Sequence, residues 1–207
     1  MKEFKLGEEI DLLTKYPKAN RNLDDRATNK SEDDRKIARK FDKEFFDGER
    51  KHGYGGFNYN SKYWSEVVKT FRDYWKLNEN SSLLDVGCAK GFMLHDFKEL
   101  IPEMKVAGLD ISEYAVNNSM PSVKKYLSVN DAKSLPYDDN SFDYIISINT
   151  IHNLEKKDCS LALKEIERVS RLGAFITVDA FHNEEEEERM YKWNLTAKTI
   201  MSVNDWK

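Results

Sequence analysis

Cysteine is scarce in this sequence: Cys88 and Cys159 are the only two among 207 residues, and no CxxC or other paired spacing joins them, so nothing suggests a disulfide framework. Histidine, cysteine and acidic residues never fall at ligand spacings either, and no metal site is expected. Long apolar runs are missing too. None reaches the length of a signal peptide or a membrane span, which points to a cytoplasmic chain with no membrane partner; in that setting the N-x-S/T matches at Asn80, Asn117 and Asn194 are chance occurrences. The third absence is concentrated positive charge. With a formal charge of −4, a pI near 5.7 and no local basic patch, nucleic acid is not an expected partner, whereas small molecules or proteins are. No internal repeat is present. What remains is a chain with 40% hydrophobic residues, long enough for one domain with a sizeable core and a terminal extension.

The stretch that organises the chain is Leu83-Leu84-Asp85-Val86-Gly87-Cys88-Ala89-Lys90-Gly91-Phe92-Met93-Leu94. A short apolar run ends in glycines and an apolar-periodic segment follows, so a buried strand turns sharply into a helix there. Gly87 and Gly91 let the backbone approach a bound molecule closely, and Asp85 supplies a carboxylate for a donor such as an ammonium. A cationic, nucleoside-bearing cofactor suits such a turn.

Ahead of it, residues 1–30 are polar with scattered Leu12, Leu13, Tyr16 and Leu23, and read as an extension that carries no chemistry. Ser31 followed by three acids predicts a helix start, and Ile37, Phe41 and Phe45 recur every four residues, giving one amphipathic helix to about Gly48 whose stripe packs in the core. The stretch 52–60 interleaves glycines with aromatics and must be a loop. It is either a connector with its rings tucked onto the core or a lid over the cofactor, with Tyr54 or Tyr59 offering a ring and a hydroxyl. Ser61 is expected to cap a second helix with Trp64, Val67, Val68, Phe71 and Trp75 on its apolar face.

From Ser82 the rhythm becomes strand, helix, strand. Strands are expected at 83–87, 105–111, 125–130, 142–149 and 174–179, with helices at about 92–100, after Ser112, and at about 157–171 closing at Gly173. Such alternation predicts an α/β fold, a doubly wound, mostly parallel sheet with helices on both faces, in which 1–81 form an N-terminal cap and 82–207 the cofactor-binding core. The Glu184 to Glu188 run reads as a solvated helix start.

In an open parallel sheet the ligand lies outside the carboxyl ends of the strands. Asp85, Asp110, Asp131 and Asn149 converge there. Asp110 lies 19 positions beyond Gly91, close to the spacing at which an acid takes a ribose hydroxyl pair; Asp131 can accept from an exocyclic amino group and the Ala132 amide can face a ring nitrogen, which makes adenine the natural guess. The glycine pattern Gly87-x-Ala89-x-Gly91 is not the G-x-G-x-x-G of dinucleotide folds, which argues against a nicotinamide cofactor.

These residues resemble the class I S-adenosylmethionine-dependent methyltransferases, over roughly residues 82–179. The Asp85-x-Gly87-x-Ala89-x-Gly91 turn, Asp110, the Asp131-Ala132 pair and the Ser141-Phe142-Asp143-Tyr144-Ile145-Ile146 strand carry the likeness. The resemblance implies a Rossmann-like fold and S-adenosylmethionine as cofactor. It further implies that Asp85 and Gly87 lie near the methionine end, Asp110 at the ribose, and Ile111, Asp131 and Ala132 around the adenine; Cys88, Ala89 and Gly91 of the turn and Asn149 at the end of strand four are further cofactor-binding candidates. Ala89 stands where the family usually has glycine, and its methyl group is accommodated only if φ there is negative. The family's sheet continues past strand five, whereas this chain stops at Lys207. A shortened sheet edge, open to self-association, is therefore expected.

Methyl transfer needs an in-line nucleophile and, for a hydroxyl acceptor, a general base. His152, three residues past strand four, is the candidate catalytic residue, with a structural histidine bonding the loop as the alternative. The expected function is methyl transfer to an oxygen or nitrogen of a small molecule. A catalytically inactive relative that binds the cofactor or a protein partner, and a nicotinamide-dependent oxidoreductase, are the alternatives.

Overall fold

In a computed structural model of the chain, residues 9–17 and 30–207 are described. Five strands, β1 (Ser82–Val86), β2 (Lys105–Asp110), β3 (Leu127–Val129), β4 (Phe142–Ile148) and β5 (Ser170–Thr177), form one sheet in the order β3-β2-β1-β4-β5. Every pairing in it is parallel. The expected doubly wound Rossmann-like sheet is what forms, and its order reverses direction between β1 and β4. Alternation along β1 shows why helices cover both faces: Leu83 joins a cluster with Val67, Val68, Phe71, Leu94 and Phe97, whereas Leu84 joins one with Leu109, Ile145, Ile166 and Val169. Each of these side chains contributes roughly 1.5–3 kcal/mol by leaving water.

The first cluster is built from α3 (Ser65–Trp75) and α4 (Phe92–Leu100), and the second from α6 (Lys156–Val169). Leu12 is buried in the first as well, and Tyr16 lies against Tyr63 and Trp64 at 5.5 and 4.9 Å between ring centres. Leu13 packs against the same cluster, and the reading of residues 1–8 and 18–29, Leu23 included, falls outside the described residues.

The single helix expected over 31–48 is two. α1 (Glu32–Ala38) starts on a capping box between Ser31 and Asp34, and α2 (Lys43–Asp47) starts on Asp42, whose side chain accepts from the Glu44 amide. Between them Phe41 has φ +51, which no continuing helix tolerates. Asp42 competes as a second N-cap, and Phe46, not the Ile37–Phe41–Phe45 stripe, is the buried aromatic. Ser61 does not cap α3; that helix begins at Ser65 with Trp64 at its N-cap position and no side-chain cap. α6 also departs from expectation. It ends at Val169 and β5 begins at once, with Gly173 inside the strand opposite Tyr144 and a register irregularity between Phe142 and Tyr144. β3 is shorter than expected, because Lys124–Tyr126 form a 3-10 turn.

The short α5 (Glu113–Asn117) is capped by Ser112 as expected. After β5 come β6 (Ala180–Phe181), α7 (Glu184–Trp193) capped by Asn183, β7 (Met201–Ser202) parallel to β6, and α8 (Val203–Trp206). Among the described residues no helix is long and apolar enough to cross a membrane.

Candidate cofactor site

At the carboxyl end of β1 the backbone takes three left-handed residues within five positions: Gly87 at φ +87, Ala89 at +49 and Gly91 at +75. Gly87 is required for space as well as for φ, since a Cβ there would meet the Thr150 hydroxyl oxygen at 2.0 Å. Ala89 contradicts the negative φ that its methyl group favours. A non-glycine residue in this region is strained by roughly 1–2 kcal/mol, so the turn is held by its partners rather than by its own preference. The amides of Gly87 and Cys88 donate to the Leu109 carbonyl at 2.8 and 3.0 Å, and that of Ala89 donates to Asp110 Oδ2 at 2.8 Å.

Asp110 closes β2 and is buried; its Oδ1 accepts from the Ser112 amide at 2.8 Å. Burial raises its pKa, and the two amide bonds oppose that rise. Asp85, in the middle strand between Gly108 and Ile146, is held at the same edge, and among the described residues its side chain accepts no hydrogen bond that would offset its desolvation. Burial, reinforced by the Asp110 charge, pushes it up to about 7. Two buried carboxylates facing one site call for a cation. Ile111, next to Asp110, is 59% exposed, an apolar surface beside a hydrogen-bonding carboxylate. A cationic ligand with a flat nucleobase fits this set, as S-adenosylmethionine does.

The remaining expected residues fall at graded positions. The Asn130 amide donates to the Asp110 carbonyl at 3.0 Å, which carries Asp131 and Ala132 to the same edge. Ala132 is buried, while Asp131 is half-exposed, with Oδ1 accepting from the Lys133 amide at 2.9 Å. Cys88 is buried and its thiol is pushed well up, by burial first and then by Asp85 and Asp110, so it is packing and no nucleophile. Asn149 sits at φ +52 and turns toward β5, its Oδ1 accepting from the Thr177 hydroxyl at 3.1 Å.

The two lid candidates have partners of their own. Tyr59 donates its hydroxyl to Asp96 Oδ1 at 2.5 Å, and burial and that carboxylate push it up to about 12. Tyr54 packs against Phe57 at 4.2 Å between ring centres, and it is Phe57 that stacks on Phe92 at the start of α4, at 4.8 Å. His152 lies in a 3-10 turn after β4 and is buried. Its Nδ1 accepts from the Asp179 amide at 2.7 Å, so a neutral ring carries its proton on Nε2 and offers no free lone pair. Burial lowers its pKa, with the Asp179 charge acting the other way. Its backbone carbonyl accepts from the Lys198 and Thr199 amides, both at 3.0 Å.

Sequence reading missed Lys90, Asp47 and Tyr114, which meet at Asp47 Oδ2 through two hydrogen bonds of 2.7 Å; a lysine among small residues was the only sign. It also missed a cleft between α1 and the segment after α7, lined by Arg35, Arg39, Glu155, Tyr191, Asn194 and Lys198.

Residues 84–178 match a family model described as a methyltransferase domain. A demethylmenaquinone methyltransferase of Roseiflexus castenholzii is 30% identical over 96 residues, which are 45% of this chain and 40% of that protein. A tRNA (carboxymethyluridine(34)-5-O)-methyltransferase of Arabidopsis thaliana is 30% identical over 132 residues, covering 63% of this chain and 31% of its own. The chain therefore spans less than half the length of these curated relatives. Among solved structures, a phosphoethanolamine N-methyltransferase of Haemonchus contortus, in complex with phosphomonomethylethanolamine and S-adenosylhomocysteine, superposes with a TM-score of 0.55 at 19% identity, covering 78% of this chain and 41% of that one.

Proposed function

We propose that residues 84–178, which match the methyltransferase-domain model, form a class I S-adenosylmethionine-dependent methyltransferase core, and that the chain moves a methyl group from this cofactor to an oxygen or nitrogen of a small-molecule acceptor. The observation that carries the reading is Asp110, buried at the end of β2 and bonded to the glycine turn on one oxygen and to Ser112 on the other, with exposed Ile111 beside it. When bound, S-adenosylmethionine supplies a methyl group activated on a sulfonium. Asp85 takes the amino-acid ammonium, Asp110 the ribose hydroxyls, Asp131 the adenine amino group, and Ile111 and Ala132 flank the ring.

His152 fits a positioning role better than that of the base. Its Nδ1 is engaged by Asp179, and its carbonyl fastens the 198–199 backbone, so it fixes the segment that follows β4. That segment starts at Thr150, packed on Gly87, and reaches the cleft at Glu155. Five residues span at most about 18 Å, which favours the cleft as the acceptor's place. A small acceptor is favoured over RNA by the formal charge of −4, although one relative acts on tRNA. The outer strand β5, with exposed Leu172, leaves self-association open through the sheet edge.

Titration calorimetry with S-adenosylmethionine and S-adenosylhomocysteine tests the reading. Binding of both is expected, with most of the affinity lost in Asp110→Ala. Absence of heat with either ligand sinks the proposal, and an unchanged Asp110→Ala removes the ribose assignment.

A further inference from the structure

Lys90 stands inside the cofactor turn, between Ala89 and Gly91, yet it is only 5% exposed and its ammonium is bonded to residues that precede β1. It donates to Asp47 Oδ2 at 2.7 Å and to the Phe57 carbonyl at 2.9 Å. The same Asp47 oxygen accepts from the Tyr114 hydroxyl at 2.7 Å, and Asp47 Oδ1 accepts from the Phe57 amide at 2.8 Å. One carboxylate thus gathers the end of α2, the aromatic loop, the cofactor turn and α5. Burial works against its charge, but the Lys90, Phe57 and Tyr114 hydrogen bonds together hold it below the usual carboxylate range.

This cluster explains how a strained turn persists. Ala89 keeps φ +49 without glycine's freedom, so its surroundings must over-determine it. On one side its amide is tied to Asp110; on the other the next residue is tied by its ammonium to Asp47 and by its carbonyl to the Met120 amide at 2.9 Å. Phe57, whose carbonyl takes the ammonium, is itself stacked on Phe92 at the start of α4.

We propose that Asp47 is a positioning residue for the cofactor turn: through Lys90 it keeps residues 87–91 in their left-handed shape, so that the N-terminal segment sets the affinity for the nucleoside cofactor. The inference rests on reading the turn as a cofactor site, but its first measurement does not.

In the full chain without cofactor, Asp47→Asn and Lys90→Met are expected to speed hydrogen exchange at the amides of Gly87, Cys88, Ala89 and Gly91. Lys90→Met leaves Asp47, the more exposed partner, its hydrogen bonds from the Phe57 amide and the Tyr114 hydroxyl, whereas Asp47→Asn strands the buried ammonium, so Lys90→Met remains informative if Asp47→Asn folds poorly. Calorimetry with S-adenosylhomocysteine is expected to show binding about tenfold weaker in each variant. Adding Ala89→Gly to Asp47→Asn removes the strain and is expected to return binding to within about threefold of Ala89→Gly alone. Unchanged exchange and affinity in both variants overturn the proposal. So does weakened binding that Ala89→Gly leaves uncorrected, since Asp47 would then act elsewhere than on the turn. If the native chain itself gives no heat, the cofactor reading fails, and the exchange rates alone decide the role of Asp47.

Discussion

Asp85 is flanked by Gly108 and Ile146 in the neighbouring strands, and at about 7 it is the carboxyl group on which pH acts most directly. Its folded value lies above its unfolded one, so between about pH 4 and 7 the folded chain holds a proton that the unfolded chain releases, and Asp85 makes stability fall as pH rises through that window. His152, lowered by burial, acts in the opposite sense: the stability tied to its neutral form is lost as pH falls below about 6.5. A cationic cofactor favours the ionised Asp85. Below about pH 7 binding must therefore release a proton, and affinity for S-adenosylmethionine is expected to climb with pH and level off above that value. Calorimetry at a series of pH values reads this, and Asp85→Asn should flatten the curve; a flat curve in the native chain would contradict the assignment. Neither the shift nor the release is legible in the sequence, where Asp85 is simply one acid near a strand end. Burial in the middle strand beside a second carboxylate makes the difference.

At the scale of elements, the glycine turn is the joint between β1, α4 and the segment after β4. Gly87→Ala meets two obstacles at once, a φ of +87 and the Thr150 side chain as close as 2.0 Å. A loss of about 2–4 kcal/mol is expected, read as a lowered urea midpoint with an unchanged denaturant slope. A variant of native stability would show that β1, the turn and the 150–155 segment can move apart. Sequence periodicity located α4 to the residue, because Gly91 and Pro102 bracket an unbroken apolar stripe. It failed over 31–48 for a reason of the same kind: two short helices in succession preserve the four-residue spacing, and only the local competition of Asp42 for the Glu44 amide breaks the chain at Phe41. α6 was extended too far because Gly173 looked like a helix cap, when it is a strand residue with ordinary φ.

Across the whole molecule, the division into 1–81 and 82–207 has no matching division in the core. Leu12, Val67, Val68 and Phe71 share one cluster with Leu83, Leu94 and Phe97, and Lys90 is buried against Asp47. We expect a single cooperative unfolding transition, with far-ultraviolet circular dichroism and tryptophan fluorescence coinciding both in the native chain and in one that keeps only Trp64 and Trp75, which report the N-terminal part, since Trp193 and Trp206 follow β5. Two separated transitions would mean that the helices ahead of β1 fold independently of it.

By itself the sequence determined the alternation of strands and helices and the turn from Asp85 to Gly91. It also placed Asp110 and the Asp131-Ala132 pair at the ends of the next two strands. These are features of local spacing, and local spacing is what apolar periodicity, caps and glycine report. Tertiary structure alone decided the rest. The left-handed Ala89 is held by Asp110, Lys90 is drawn back onto Asp47 across 43 positions, Tyr59 is spent on Asp96, and the His152 lone pair is taken by Asp179. Each depends on which distant polar groups folding brings within hydrogen-bond reach and removes from water, and a one-dimensional pattern carries no record of that.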